Sequence, residues 1–259
     1  MFYLNIIFIE VLNLEKTLNN TNINYYYRNN NKNVTLLLLH GWGQNIEMMK
    51  PISDNYENFF NILILDLPGF GKSDEPDTVW SVYDYVDLIH ELIKSLNLKK
   101  VIIIGHSFGG RLGLIYASMY EIEKLICLAS PYCKELTKLP LKTRIYKTLK
   151  QIPLLKPIAN IMKKYIGSTD YKNASEIMRG VLVNSINIDM VSDVKKIKCP
   201  TLLVWGTLDT AVPIKRAYEL KELIKDSGVV EFNGASHYAY LERLNELIKV
   251  LDSFFNIRR

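Results

Sequence analysis

Cysteine, histidine and long apolar runs are all scarce in this sequence, and each scarcity narrows what the chain can do. The 259 residues hold three cysteines, Cys127, Cys133 and Cys199. None has CxxC or zinc-ligand spacing, so neither a disulfide framework nor a metal site is expected, and sparse unpaired thiols suit a reducing cytoplasm. No stretch approaches the ~18–20 apolar residues of a membrane span. The opening M-F-Y-L-N-I-I-F-I-E is apolar, but it has no basic segment and Glu10 interrupts it, which predicts a strand rather than a secretion signal. No repeat with a period of about 20–50 residues is present, which argues against a solenoid. With four histidines in all, His40, His90, His106 and His237, histidine-dependent chemistry has few candidates.

What is present describes a globular chain. Hydrophobic residues make up 48% and charged residues 23%, an ordinary soluble composition with material for one large core. The net charge of +5 fits a Lys- and Asn-rich bias better than a nucleic-acid partner. Strand-like apolar runs recur at Ile6–Leu12, Ile23–Tyr27, Val34–Leu39, Ile62–Leu65, Val101–Ile104, Leu125–Leu128, Thr201–Trp205 and Val229–Phe232. Several are apolar at every position, as strands buried on both faces must be. Helical periods lie between them, over Val82–Leu96, Arg111–Tyr120, Ile214–Ile224 and Leu241–Phe255. This alternation predicts an α/β fold with a mainly parallel sheet and crossover helices.

Residues 131–196 break the alternation. They contain Pro131, Pro140, Pro153 and Pro157, and a helical stripe of Leu141, Ile145, Leu149 and Ile152. Between 131 and 175 stand ten Lys or Arg and two Asp or Glu, a local excess of eight positive charges. This segment is expected to be a helical insertion over one end of the sheet, splitting the core into 1–130 and 197–259. Its charge could meet an acidic substrate or an anionic membrane surface, although a solvated lysine face over a packed apolar stripe is the simpler expectation.

The chemistry centres on Gly105-His106-Ser107-Phe108-Gly109, a G-x-S-x-G pattern between a β-branched strand and a helix. There a serine projects from a tight turn, and the residues two positions either side must be small because strand and helix approach closely. A serine that merely caps the helix is the competing expectation. A serine hydroxyl is a poor nucleophile at neutral pH and needs a base, which in turn needs an orienting acid. His237, in G-A-S-H-Y-A-Y-L, falls on a loop between the last strand and the last helix. Asp209, in V-W-G-T-L-D-T-A-V-P, follows the strand Thr201–Trp205, at the strand end where ligands collect in open α/β sheets. A turn-capping role is the alternative for Asp209. Leu39-His40-Gly41-Trp42-Gly43 follows another strand, so the backbone N–H groups of Trp42 and Phe108 are candidates for an oxyanion hole.

At these residues the sequence resembles the α/β-hydrolase superfamily over essentially its whole length. L-L-L-L-H-G-W-G looks like its oxyanion turn, and D-L-P-G-F-G-K-S, residues 66–73, like its D-x-P-G-x-G-x-S turn. G-H-S-F-G-G looks like its nucleophile elbow, P-T-L-L-V-W-G-T-L-D like its acid strand and G-A-S-H like its histidine loop. The resemblance implies an eight-stranded sheet with helices on both faces, a cap after the sixth strand, the catalytic set Ser107, Asp209 and His237, and no metal or organic cofactor. Asp66 and Ser73 are expected to form a turn. Serine at position 107 argues against haloalkane dehalogenases and epoxide hydrolases, which carry aspartate there, and G-H-S-F-G differs from the G-G-S-W-G usual in proline iminopeptidases. The expected function is hydrolysis of a small-molecule ester or thioester. The alternatives are a carbon–carbon bond hydrolase of the meta-cleavage-product type and a non-catalytic binding module. Arg144, Arg179 and Tyr132 are candidate substrate contacts, with Tyr146, Met162, Tyr165 and Met190 as further candidates to line the pocket.

Overall fold

A computed structural model describes residues 12–134 and 169–259. Eight strands form one sheet: β1 (Leu12–Leu18), β2 (Thr21–Arg28), β3 (Thr35–Leu39), β4 (Asn61–Leu65), β5 (Val101–His106), β6 (Lys124–Leu128), β7 (Thr201–Gly206) and β8 (Ser227–Phe232). The spatial order is β1-β2-β4-β3-β5-β6-β7-β8. β1 and β2 are antiparallel, β2 runs antiparallel to β4, and every pair from β4 to β8 is parallel.

Strand periodicity explains why helices cover both faces. Leu37, Leu39, Leu63, Leu65, Ile103, Leu125, Cys127, Leu203 and Trp205 point to one core. Leu36, Leu38, Ile62, Ile64, Ile102, Ile104, Ile126, Leu128 and Val204 point to the other. Successive side chains alternate across a strand, so an all-apolar strand needs cover on two sides. On the first side lie α2 (Val82–Ser95) and α3 (Phe108–Met119), with α7 (Lys215–Leu223) towards the β7–β8 edge. On the second lie α1 (Lys50–Ser53), α8 (Ala239–Glu242) and α9 (Leu244–Phe255), whose Leu247 and Leu251 are fully buried. α2 starts on a capping box, with Ser81 and Asp84 satisfying each other's backbone N–H groups.

Two local expectations are corrected, and one falls almost wholly outside the described residues. The expected strand Ile6–Leu12 lies outside the described residues except for Leu12. The first described strand is Leu12–Leu18, whose Asn13, Glu15, Lys16 and Thr17 break an apolar run; among the described residues it is the outer strand and pairs on one side only. The helix after Ser107 begins at Phe108 rather than Arg111. The C-terminal helical stretch divides at Arg243, between α8 and α9. The chain leaves the sheet after β6 and returns at β7. Within that interval α4 (Thr169–Asn173), α5 (Glu176–Asn187) and α6 (Val191–Val194) are described, while the Leu141–Ile152 stripe lies outside the described residues.

The strand order also fixes where chemistry can occur. β3 has β4 on one side and β5 on the other, in register Leu39↔Leu65 and Leu39↔Gly105. The loops leaving β3 and β5 therefore diverge, and a crevice opens at their shared C-terminal edge. Closeness there depends on glycine. A Cβ on Gly105 would meet the backbone of Gly109 at 2.4 Å and Gly110 at 2.6 Å, whereas a Cβ on Gly228 in β8 meets nothing within 4 Å. Gly105→Ala is expected to cost about 1–3 kcal/mol through forced backbone movement, against a small effect for Gly228→Ala. Urea unfolding of the two variants checks this; equal losses would contradict the packing account.

Candidate active site

Ser107 stands between β5 and α3 with φ 49° and ψ −108°. That is the region of the first central residue of a type II′ turn, where glycine is normal and an L side chain is strained. Two backbone bonds hold it: Ser107 N donates to Leu128 O at 2.9 Å, and Arg111 N donates to Ser107 O at 3.0 Å. Although Ser107 occupies the helix N-cap position, its side chain makes no capping hydrogen bond. The strained backbone is therefore not explained by capping; the residue is partly exposed, and its Oγ makes no hydrogen bond among the described residues.

Glycines around the turn allow the approach. A Cβ on Gly109 would strike Leu39 O at 2.2 Å, and one on Gly110 would strike Ser130 Oγ at 1.6 Å. The helix N-terminus thus sits against the end of β3, beside Trp42. The first amides of a helix have no intrahelical acceptor, and neither Phe108 N nor Trp42 N donates to another group among the described residues. The Trp42 ring packs edge-on against Phe70 (4.8 Å) and Phe108 (5.4 Å), and Tyr85 packs on Phe108 (5.2 Å). This aromatic cluster gives the turn an apolar wall.

Asp209 and His237 meet across the ends of the neighbouring strands β7 and β8. His237 Nδ1 donates to Asp209 Oδ2 at 2.8 Å, and the Asp209 side chain has no exposed surface. Asp209 Oδ1 accepts from Ala211 N and Val212 N, each at 2.8 Å. The turn-capping and histidine-orienting expectations are therefore both met, one by each oxygen. Trp205 Nε1 donates to Val212 O at 3.0 Å and anchors the same loop from the core. Gly206 lets the histidine loop close in, because a Cβ there would meet Ala235 O and Ser236 O at 2.3 Å.

Two further histidines, which sequence reasoning left without a role, brace these loops. His40 is fully buried; its Nδ1 donates to Gly41 O at 2.7 Å and its Nε2 accepts from Leu67 N at 2.9 Å. The backbone donor on one side and the carbonyl on the other fix the tautomer. His106 is buried beside His237, with ring centres 4.8 Å apart. Its Nε2 donates to His237 O at 3.1 Å, which ties the serine turn to the histidine loop. Its Nδ1 lies 3.2 Å from Gln44 Oε1, which accepts from Gly41 N at 2.8 Å, so Gln44 packs beside the ring while bracing its own turn. Asp66 and Ser73 form the turn expected of them. Asp66 accepts from Ile46 N, Asn24 Nδ2 and Lys72 N, and Ser73 Oγ donates to Asp66 O at 2.6 Å.

The candidate substrate contacts fare differently. Arg144, Tyr146, Met162 and Tyr165 lie outside the described residues. Arg179 donates through Nε to Tyr171 O and through Nη2 to Lys172 O, both at 2.9 Å, so its guanidinium is engaged by the backbone of α4. Tyr132 is buried, and its hydroxyl donates to Glu219 Oε2 on α7 at 2.9 Å. Met190, at the start of α6, is fully buried. Among the described residues no cluster of His, Cys, Asp or Glu could hold a metal ion, and no helix is long and apolar enough to cross a membrane.

Residues 34–144 match the family described by the α/β-hydrolase fold. A pimeloyl-[acyl-carrier protein] methyl ester esterase of Aliivibrio fischeri is 25% identical, over 89% of this chain and 97% of its own. A 2-hydroxy-6-oxo-6-(2'-aminophenyl)hexa-2,4-dienoic acid hydrolase of Metapseudomonas resinovorans is 24% identical, over 95% of this chain and 92% of its own. Among solved structures, the enol-lactonase of Burkholderia xenovorans superposes with a TM-score of 0.74 at 20% identity, covering 94% of this chain and all of the other.

Burial lowers the His40 pKa to about 4 and the His106 pKa to about 3, the latter helped by the adjacent His237. In the unfolded chain both take a proton near pH ~6.5. Below that pH the unfolded state binds more protons, so this stability is complete above ~6.5 and is lost as pH falls towards about 4. Replacing His106 by Gln is expected to reduce the difference in denaturant midpoint between pH 7.5 and pH 5. An unchanged difference would show that His106 is not held neutral by the fold.

Proposed function

We propose that this chain, which belongs to the α/β-hydrolase superfamily, is a serine hydrolase of small carboxylic esters or thioesters acting through an acyl-enzyme. The observation that carries this reading is the pairing of a buried, fully engaged Asp209 with His237, on the same sheet edge as a strained serine whose hydroxyl caps no helix and makes no hydrogen bond among the described residues. Each residue has a step. Ser107 Oγ attacks the acyl carbon while His237 Nε2 takes its proton. Asp209 holds the Nδ1–H tautomer and stabilises the imidazolium that forms. The negative oxygen of the tetrahedral intermediate is received by the N–H groups of Trp42 and Phe108, each worth about 10²–10³ in rate. His237 returns the proton to the leaving alcohol or thiol, and water, deprotonated by His237 in turn, releases the acid and restores Ser107.

The neutrality of His106 matters to this cycle. A second positive charge beside His237 would oppose formation of the imidazolium. Burial keeps His106 uncharged, so it can hold the His237 backbone without competing for its proton.

Residues 131–196 are read as the cap over this site, with a small molecule as substrate and the cytoplasm as the expected setting. A second reading, carbon–carbon bond hydrolysis by the same three residues, is favoured by the likeness to the dienoic acid hydrolase. Arg179 supports it poorly, since the backbone already engages its guanidinium.

Hydrolysis of p-nitrophenyl esters from acetate to palmitate tests the first reading. Ser107→Ala is expected to lower kcat by about 10⁴-fold or more, and Asp209→Asn by about 10⁴-fold, with folded protein in both cases. Turnover of a dienoic keto acid, with none of any ester, would move the assignment to the second reading. A wild type inactive on both would leave a binding module.

A further inference from the structure

Arg111 is a buried cation that the proposed catalytic cycle does not use. It lies on the first turn of α3 with 4% of its surface exposed. The only polar contact of its guanidinium among the described residues is Nη1 to Met190 Sδ at 4.0 Å, and no carboxylate pairs with it. Thioether sulfur is a weak acceptor. Lys196, Arg28 and Arg259 all stand opposite carboxylates, so ion pairing is the habit of this chain elsewhere. An ionised group buried without a counter-charge is costly, and burial lowers the Arg111 pKa to about 10, still well above neutrality. The group stays charged; the Cys133 sulfur is the one group that favours its charge, and no carboxylate among the described residues balances it.

Its position says what could balance it. Arg111 N donates to Ser107 O, which sets Arg111 one helical turn from the serine, about 6 Å along the axis. Residues four apart share a helix face. The guanidinium ends at the seam where the chain leaves β6 and returns before β7: Met190 contacts it, and Met190 N donates to Tyr132 O at 3.0 Å. Gly110, its neighbour, lies against Ser130 of the same seam. A ligand bonded at Ser107 and running along this face towards the seam would bring its far end to the unpaired fork of donors.

We propose that Arg111 binds a carboxylate on the acyl portion of the substrate, so that the site takes half-esters or half-thioesters of dicarboxylic acids. This rests on the reading of Ser107 as nucleophile and adds its substrate class. A guanidinium offers two parallel N–H donors to a carboxylate, and the anion supplies a counter-charge that no carboxylate among the described residues provides. Neutral acyl groups of the same length leave Arg111 unpaired in the complex and bind less well.

Two measurements test this. The first compares mono-p-nitrophenyl esters of succinate through pimelate with neutral p-nitrophenyl esters of equal carbon number. Wild type is expected to favour one of the half-esters, and Arg111→Met to lower that ratio of kcat/KM by about 10- to 100-fold, the worth of a charge-assisted hydrogen bond. No preference in wild type, or an unchanged ratio in Arg111→Met, overturns the proposal. So does a preference for 4-acetoxybenzoate over its methyl ester without one for the half-esters, since the carboxylate would then sit on the leaving group. The second measurement needs no catalysis: thermal unfolding with and without adipate. Adipate is expected to raise the Tm of wild type and of Ser107→Ala but not of Arg111→Met. Adipate binding without ester turnover would retain the anion site while removing the hydrolase reading. Ester turnover without adipate binding or half-ester preference would do the reverse. With no ligand present, Arg111→Met is expected to unfold at or above the wild-type Tm, because an apolar chain of similar length replaces an unpaired charge; a lower Tm would assign Arg111 a structural role instead.

Discussion

Everything at this site depends on one backbone conformation, the positive φ of Ser107 at the end of β5. A non-glycine residue there costs about 1–3 kcal/mol, so neighbouring packing must impose it. Gly105, Gly109 and Gly110 allow that packing by letting strand, turn and helix approach closer than any Cβ would permit. In return the serine side chain is pushed out of the helix frame, clear of the capping bond it would otherwise make. The strain and the glycines form one device, and removing either relaxes the other.

Around that point the sheet does the positioning. β3 and β5 are neighbours because the chain reverses its direction of travel across the sheet between β4 and β5. That reversal sets the Trp42 turn beside Ser107. β7 and β8 close the far side of the sheet, and their loops bring Asp209 to His237. The buried histidines are the mortar. His40 joins the Trp42 turn to the Asp66 turn, and His106 joins the serine turn to the histidine loop. Both are kept neutral by burial, which lets them act as fixed hydrogen-bonding groups beside a histidine that has to change charge.

Much of this was legible in the residues. All-apolar strands, intervening helical periods and five motifs in order specify the sheet and bring Ser107, Asp209 and His237 to the same edge. The polar first described strand was hidden because Leu12–Leu18, an outer strand among the described residues, carries Asn13, Glu15 and Lys16, so no apolar run marks it. The roles of His40, His106 and Gln44 could not be seen because they arise from contacts between residues far apart in sequence. His106 meets Gln44 across 62 positions and His237 across 131. Arg179, an apparent substrate cation, is engaged by carbonyls seven and eight residues earlier, a local contact that periodicity does not reveal. Arg111 is the opposite case: it looks like one more helix arginine, and only burial with no carboxylate partner among the described residues sets it apart.

The central claim is that the strained Ser107 is a nucleophile activated by His237. Reaction with a fluorophosphonate, followed by mass spectrometry of the digested protein, tests it without knowledge of the substrate. The account predicts a single stoichiometric adduct on the peptide carrying Ser107, formed at least about 10³-fold more slowly when His237 is replaced by Ala. No adduct on folded protein, or labelling at Ser107 whose rate is indifferent to His237, would contradict it.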